Sequence, residues 1–155
     1  MTKAPKAKMT PGDLLAIYEA LDKVQAIIEF DLDGTVLSAN ENFLRTFGYE
    51  LDEIVGKHHR LFCEPTYAES DEYAEFWKKL GRGEFHAAEF KRLAKGGRSI
   101  WLRASYNPVL DKSGKPIRIA CASGGRYAPW GLQPSMARRP SWKAIQGSTT
   151  NGTIQ

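Results

Sequence analysis

EFHAAEFKRLAKGGRSIWLRASYNPVLDKSGKPIRIACA, residues 84–122, decides the fold. Two long strands are expected here, about Glu84 to Leu93 and Arg98 to Leu110, joined by Lys95-Gly96-Gly97. On the second, Ile100, Leu102, Ala104 and Tyr106 fall on one face, with Trp101, Arg103, Ser105 and Asn107 on the other. That period of two is the mark of a strand. Asp111 to Gly114 turns the chain once more, into a last strand carrying Ile117, Ile119 and Cys121. Connections this short imply antiparallel pairing, so the segment is a meander.

Upstream, the elements are shorter. Thr10-Pro11-Gly12-Asp13 opens a helix with a Thr cap, a proline where a missing N–H costs nothing, and an early acid. Leu14, Ile17, Tyr18, Leu21 and Val24 then form one apolar stripe. Ile28, Phe30 and Leu32 alternate as a strand, Asp33-Gly34 supplies a tight turn, and Thr35 to Ala39 returns. Ser38 with Glu41 reads as a capping box for a helix through Phe43, Leu44 and Phe47, closed by Gly48. A second short helix spans Leu51 to Val55, and Lys57 to Tyr67 is irregular. Tyr73, Phe76, Trp77 and Leu80 recur at helical spacing and build an aromatic face. The order is helix, two strands, short helices, three strands: an α+β domain whose sheet is covered by helices on one face.

Composition limits the function classes. The chain has 155 residues and a net charge of +4, with 22 basic and 18 acidic groups. The excess lies at the ends: Arg126, Arg138, Arg139 and Lys143 follow the last acid, and Lys3, Lys6 and Lys8 precede the first. The body between them is mildly acidic, which argues against a nucleic-acid partner. No apolar run approaches the roughly 20 residues of a membrane span, and no signal-peptide pattern opens the chain. Cys63 and Cys121 lack metal or redox spacing and read as reduced thiols, consistent with a cytoplasmic location.

Residues 27–36, IIEFDLDGTV, resemble the first motif of the haloacid-dehalogenase phosphatases. The resemblance implies Asp31 as a nucleophile on phosphorus and Asp33 as general acid/base. The rest of such a site is missing. After Asp52 only Asp71 and Asp111 remain as aspartates, far apart and in turn-like settings, so no second carboxylate pair completes a Mg²⁺ site. The meander also contradicts the parallel sheet of those enzymes. A hairpin whose turn is Asp-Gly is the expected reading, and the chain is expected not to be an enzyme.

A second resemblance covers far more of the chain. FDLDGTVLSANENFLRTFGY (30–49), GYELDEIVGKHHRLFCEP (48–65) and the run from EFWKKLGRGEF through the meander are similar to a PAS sensory domain. The likeness is to those of bacterial methyl-accepting chemotaxis receptors, and it spans about Val24 to Ala122. It implies a five-stranded antiparallel sheet cupped by short helices around a pocket. Such domains sense oxygen, redox state or small molecules and pass the change to an output domain. Some bind nothing and act as dimerisation or relay modules.

The resemblance makes FAD or heme b candidate cofactors, with an empty pocket the remaining alternative. Trp77 stands where flavin-binding, redox-sensing members carry a similar tryptophan. Phe76 projects from the same helix, and Asn107 could hydrogen-bond a heterocycle. An aromatic stripe at helical spacing also reads simply as core. A neutral imidazole from His58 or His59 could ligate heme iron, although adjacent histidines cannot both point into one pocket. Otherwise one is exposed and the other bonds locally. His86 reads as a surface residue on a strand.

The expected organisation is a flexible start (1–9), an amphipathic helix (10–23), the sensory domain (24–122) and a disordered tail (123–155). The tail is acid-free and rich in Pro, Gly, Ser and Thr, yet it holds Trp130, Met136 and Trp142. A frameshift or premature end that removed a transmitter would explain it. Partners are then expected in trans: an output protein, and a second copy through the stripe on residues 14–24, unless that stripe docks on its own domain.

Overall fold

The computed structural model describes residues 7–124. Residues 1–6 of the expected flexible start, and the expected tail from residue 125, lie outside the described residues, and with them the frameshift reading. Helix α1 (Pro11–Asp22) is followed by strands β1 (Gln25–Phe30) and β2 (Val36–Ala39). Helices α2 (Glu41–Phe47) and α3 (Leu51–Ile54), a 3₁₀ turn (His59–Phe62), α4 (Pro65–Ala68) and α5 (Asp71–Gly81) come next. Strands β3 (His86–Leu93), β4 (Ser99–Leu110) and β5 (Pro116–Gly124) complete the sheet. Its order is β2-β1-β5-β4-β3, antiparallel throughout. The expected meander is therefore present, and β5 closes the sheet by pairing with β1 through six residue pairs from Gln25–Gly124 to Phe30–Ile119. That pairing carries β5 two residues past the expected boundary at 122.

Two of the three hairpins are made by one device. In Asp31-Leu-Asp-Gly-Thr35, the Asp31 carboxylate accepts from the N–H groups of Asp33 (3.1 Å) and Thr35 (2.9 Å). In Asp111-Lys-Ser-Gly-Lys115, the Asp111 carboxylate accepts in the same way from Ser113 (2.8 Å) and Lys115 (3.0 Å). Both loops close with a backbone bond from the Asp N–H to the carbonyl four residues on. Both place their glycine at positive φ, 96° for Gly34 and 85° for Gly114. An Asp side chain that bonds its own backbone two residues ahead is a turn former. The DLDGT segment is thus structural punctuation. The turn spans Asp31–Thr35, so Leu32 is an exposed loop residue and not the end of a strand.

The cap of α2 also differs from expectation. Asn40, not Ser38, stands at the N-terminus, because Ser38 is held in β2 opposite Glu29. The Asn40 side-chain oxygen accepts from Phe43 N–H (2.9 Å) and from Ile27 N–H (2.9 Å). Its amide donates to Gln25 O (2.8 Å) and to the Asp22 carboxylate (3.0 Å). One side chain thus fastens the end of α1, the start of β1 and the start of α2. Asn40→Ala is expected to lower the unfolding free energy by about 2 kcal/mol, measured by chemical denaturation, since a cap and partly buried backbone bonds go together.

The core lies between the sheet and helices α2 to α5. Phe30, Phe47, Phe62, Ile28, Ile54, Leu80, Ile119 and Val36 are its largest fully buried apolar side chains. Helix α1 takes no part in it. None of its residues is buried, and Leu14, Leu15, Ile17, Tyr18 and Leu21 are each about half exposed.

Candidate functional site

Helix α5 presents Tyr73, Phe76, Trp77 and Leu80 to the sheet, with Ser70 capping it through Tyr73 N–H (3.2 Å). The 3₁₀ turn begins where His58 is still extended (ψ 146°), so the two adjacent histidines leave the backbone in different directions. His59 points inward and is 1% exposed. His58 stays at the edge, where its Nε2 donates to Asp33 O (2.7 Å) and its Nδ1 accepts from Arg60 N–H (3.1 Å). The two ring nitrogens therefore have defined roles, and His58 is a clasp between the 3₁₀ turn and the Asp31–Thr35 loop. Gly34 is required beneath it: a Cβ there would lie 2.7 Å from His58 Nε2 and 3.0 Å from Trp77 Cζ2.

His59 is the centre of a buried polar chain. Its Nε2 lies 2.9 Å from Tyr106 Oη and its Nδ1 lies 2.9 Å from Tyr73 Oη. Arg92, 3% exposed, donates from Nη2 (3.2 Å) and Nε (3.4 Å) to the same Tyr106 oxygen. Tyr106 accepts from Arg92, so its own proton is free to go to His59 Nε2. His59 Nδ1 then carries the ring's proton and donates it to Tyr73. Cys63 Sγ sits 3.6 Å from His59 Nδ1. Around this chain the rings of Phe30, Trp77, Phe76 and Tyr106 stand edge-on or tilted to His59 and to one another. The Trp77 indole Nε1 is buried with no hydrogen-bond partner. It nevertheless lies near enough to the Tyr73 hydroxyl to act on that phenol, opposing the rise that burial causes.

Electrostatics fix the protonation states. Burial first, then the Arg92 charge and His58, hold the His59 imidazole well below its ordinary value of 6.5. Burial raises the Tyr106 and Tyr73 phenols, and it pushes the Cys121 thiol up to about 12. Cys63 is raised for the same reason, so both unbridged cysteines are thiols at neutral pH. For His59 the depressed folded pKa means that the unfolded chain takes up a proton first as pH falls. Its contribution is complete above pH 6.5 and is lost as pH falls toward the lower folded value. Stability is expected to drop by about 1.4 kcal/mol between pH 7.5 and pH 5.5 from this group. Denaturation at both pH values should show the drop, and His59→Gln should remove it.

The expected site residues separate into two groups. Trp77, Phe76 and His59 converge in the core, and His58 borders them. Asn107 does not join them. It lies on the other face of β4, where its amide donates to Ser105 Oγ (2.9 Å) and Ser105 O (3.2 Å). Strand alternation puts it there, because Tyr106 takes the inward position. His86 is exposed, with its ring against Phe76 and Phe90. Asp31 and Asp33 are occupied by turn hydrogen bonds, and no cluster of metal-ligating side chains occurs among the described residues.

Arg92 was missed by the sequence reading, and Tyr73 and Tyr106 were placed on their apolar faces but not read as site residues. The signal for Arg92 was available: Ala88, Phe90 and Arg92 share one parity on β3, and all three are buried. A charged residue at an inward strand position is unusual enough to mark a site.

The outer sheet face is different in character. Gln25, Ala87, Arg103, Ser105, Ala122 and Gly124 line a shallow trough of about 260 Å³ there. No described helix is long and apolar enough to cross a membrane.

A family model described as the PAS fold matches residues 36–123. The biofilm dispersion protein BdlA of Pseudomonas aeruginosa is 48% identical over 101 residues, which is 65% of this chain and 24% of that protein. The aerotaxis receptor of Escherichia coli is 31% identical over 80 residues, 52% of this chain and 16% of the receptor. The chain thus spans under a quarter of the length of these relatives. Among solved structures, the PAS domain of a Colwellia psychrerythraea protein superposes with a TM-score of 0.62 at 19% identity, covering 73% of this chain and 96% of that domain.

Proposed function

The chain belongs to the PAS fold family, and from that premise we propose a non-catalytic, cytoplasmic sensory module for chemotaxis-type signalling. Its stimulus acts on the aromatic core around His59. The observation that carries this reading is the buried chain Arg92–Tyr106–His59–Tyr73, which ties β3 and β4 to the 3₁₀ turn and α5. A ligand or redox change that moves any one of these groups must redirect the hydrogen bonds of the others. The sheet would carry that change outward.

Two cofactors follow from the family resemblance, and the residues suit them unequally. For FAD, the buried Trp77 N–H beside Phe76 offers a donor and a stacking wall, while Asn107 offers nothing from the opposite face. Flavin would supply redox sensitivity; Trp77 and Phe76 would orient it and exclude water. Heme fits less well. Both ring nitrogens of His59 and of His58 already hold hydrogen bonds, so ligation by either ring would sacrifice the bond held by the ligating nitrogen. An absorption spectrum of protein made with riboflavin and heme precursor tests this directly. A structured blue-region band supports flavin, a sharp Soret band supports heme, and neither band supports a colourless ligand.

The second reading is a ligand-free relay that works as a homodimer. It is favoured by the uncovered stripe of α1, with the small-residue trough on the outer sheet face as a surface for the helix of a second copy. Light scattering on the full chain and on Ile17→Asp would separate dimer from monomer. A monomer for both would remove this reading.

A further inference from the structure

Arg92 is a buried cation without a counter-ion. Among the described residues no carboxylate lies within ion-pair distance of it. The carboxylates beside β3 are used elsewhere, Glu64 by Lys91 and Glu89 by Arg103. The guanidinium is also poorly used. Its Nε and Nη2, the pair that normally takes two carboxylate oxygens, converge on the single Tyr106 hydroxyl at 3.4 and 3.2 Å. Nη1 donates to Lys91 O (3.0 Å). A guanidinium has five N–H groups, and these bonds leave the second hydrogen of each terminal nitrogen without an acceptor among the described residues.

Aromatic faces supply part of what is missing. The guanidinium carbon lies 4.6 Å from the centre of the Phe90 ring, 5.8 Å from Tyr67 and 5.9 Å from Tyr106. Such contacts offset only a fraction of the cost of burying a full charge. Tyr67 is half-buried on the one-turn helix α4, with its ring against the Arg92 guanidinium. Partly exposed itself, Tyr67 is a side chain past which a ligand would enter.

We propose that Arg92 anchors a site for a small organic monocarboxylate in the aromatic core, entered past Tyr67. A planar carboxylate matches the Nε/Nη2 fork in a way that a spherical anion does not. One negative charge balances the single buried positive charge, whereas a dianion would leave the core charged in the other sense. Phe90, Tyr67 and Phe76 would enclose the apolar body of the ligand, and the fork would release Tyr106. Tyr106 is bonded to His59, so binding would be felt along the whole chain to Tyr73 on α5.

This inference rests on the core being the sensory site, but its test stands apart from the absorption spectrum. The full chain is titrated with sodium propionate, against sodium chloride at equal ionic strength. The Arg92 Nε–H resonance and the melting temperature are followed. A saturable shift of that resonance with propionate alone is expected, with a rise of about 5 °C or more at saturation. Arg92→Met should remove both effects. An Arg92 resonance that stays fixed, or moves equally with chloride, overturns the proposal, and so does propionate binding that survives Arg92→Met. If Arg92→Met fails to fold, the wild-type resonance decides. A flavin or heme spectrum with no propionate effect sinks this inference alone and leaves the sensory reading intact.

Discussion

Phe30→Ala is expected to lower the unfolding free energy by about 3–5 kcal/mol, the range for deleting a fully buried aromatic ring. Phe30 is 1% exposed, at the end of β1, where it pairs with Ile119 on one side and Val36 on the other. Its ring is 5.2 Å from His59 and 5.6 Å from Trp77, edge-on to both. These neighbours are held from several directions, so the cavity left behind can collapse only in part. For a domain of ordinary stability the loss is a large fraction of the total. Urea denaturation should show a lower midpoint with an unchanged slope. Leu37→Ala, at an exposed position of β2, is the control and should change stability by less than about 0.5 kcal/mol. A loss at Phe30 no larger than at Leu37 would show that β1 does not pack on the core as described.

His59→Phe should cost about 2–5 kcal/mol for a different reason. The replacement keeps an aromatic ring of similar size, so the cavity term is small. What is lost is the hydrogen-bond partner of Tyr73 and that of Tyr106, both buried. Each stranded hydroxyl costs about 1–3 kcal/mol. The cost should be recovered in part by removing a hydroxyl as well. In a cycle with Tyr73→Phe, the double variant is therefore expected to be more stable than the sum of the single changes implies. Tyr106→Phe should recover less, because it leaves the Nε and Nη2 of Arg92 without their acceptor. Strict additivity in the Tyr73 cycle would mean that His59 and Tyr73 are neighbours without a shared bond.

These two variants separate the parts of the protein that are local in sequence from those that are not. The meander, the aromatic face of α5, the stripe of α1 and the turn at Asp111 were legible from residues near one another, while the first turn was legible as a turn but begins at Asp31, two residues before the Asp33 expected. In each case the deciding physics acts within a few positions: strand alternation, helical period, or an Asp side chain reaching its own backbone. Even the placement of Asn107 was implicit, since the same alternation that puts Tyr106 inside puts Asn107 outside. The cap at Asn40 was not legible, because what selects it over Ser38 is its bond to Ile27 on another element.

The sequence by itself determined the strands, the helices outside residues 57–68, the antiparallel pairing and the family likeness; the 3₁₀ turn and α4, read as irregular, emerged only in the structure. The tertiary structure decided which histidine is buried and what it touches. It also decided that Arg92 lies in the core without a carboxylate, and that α1 is left uncovered. The reason is the sheet order β2-β1-β5-β4-β3, which folds the last strand between the first and the fourth. That closure brings residues 59, 73, 92 and 106 into one hydrogen-bonded chain, although no short-range pattern relates them.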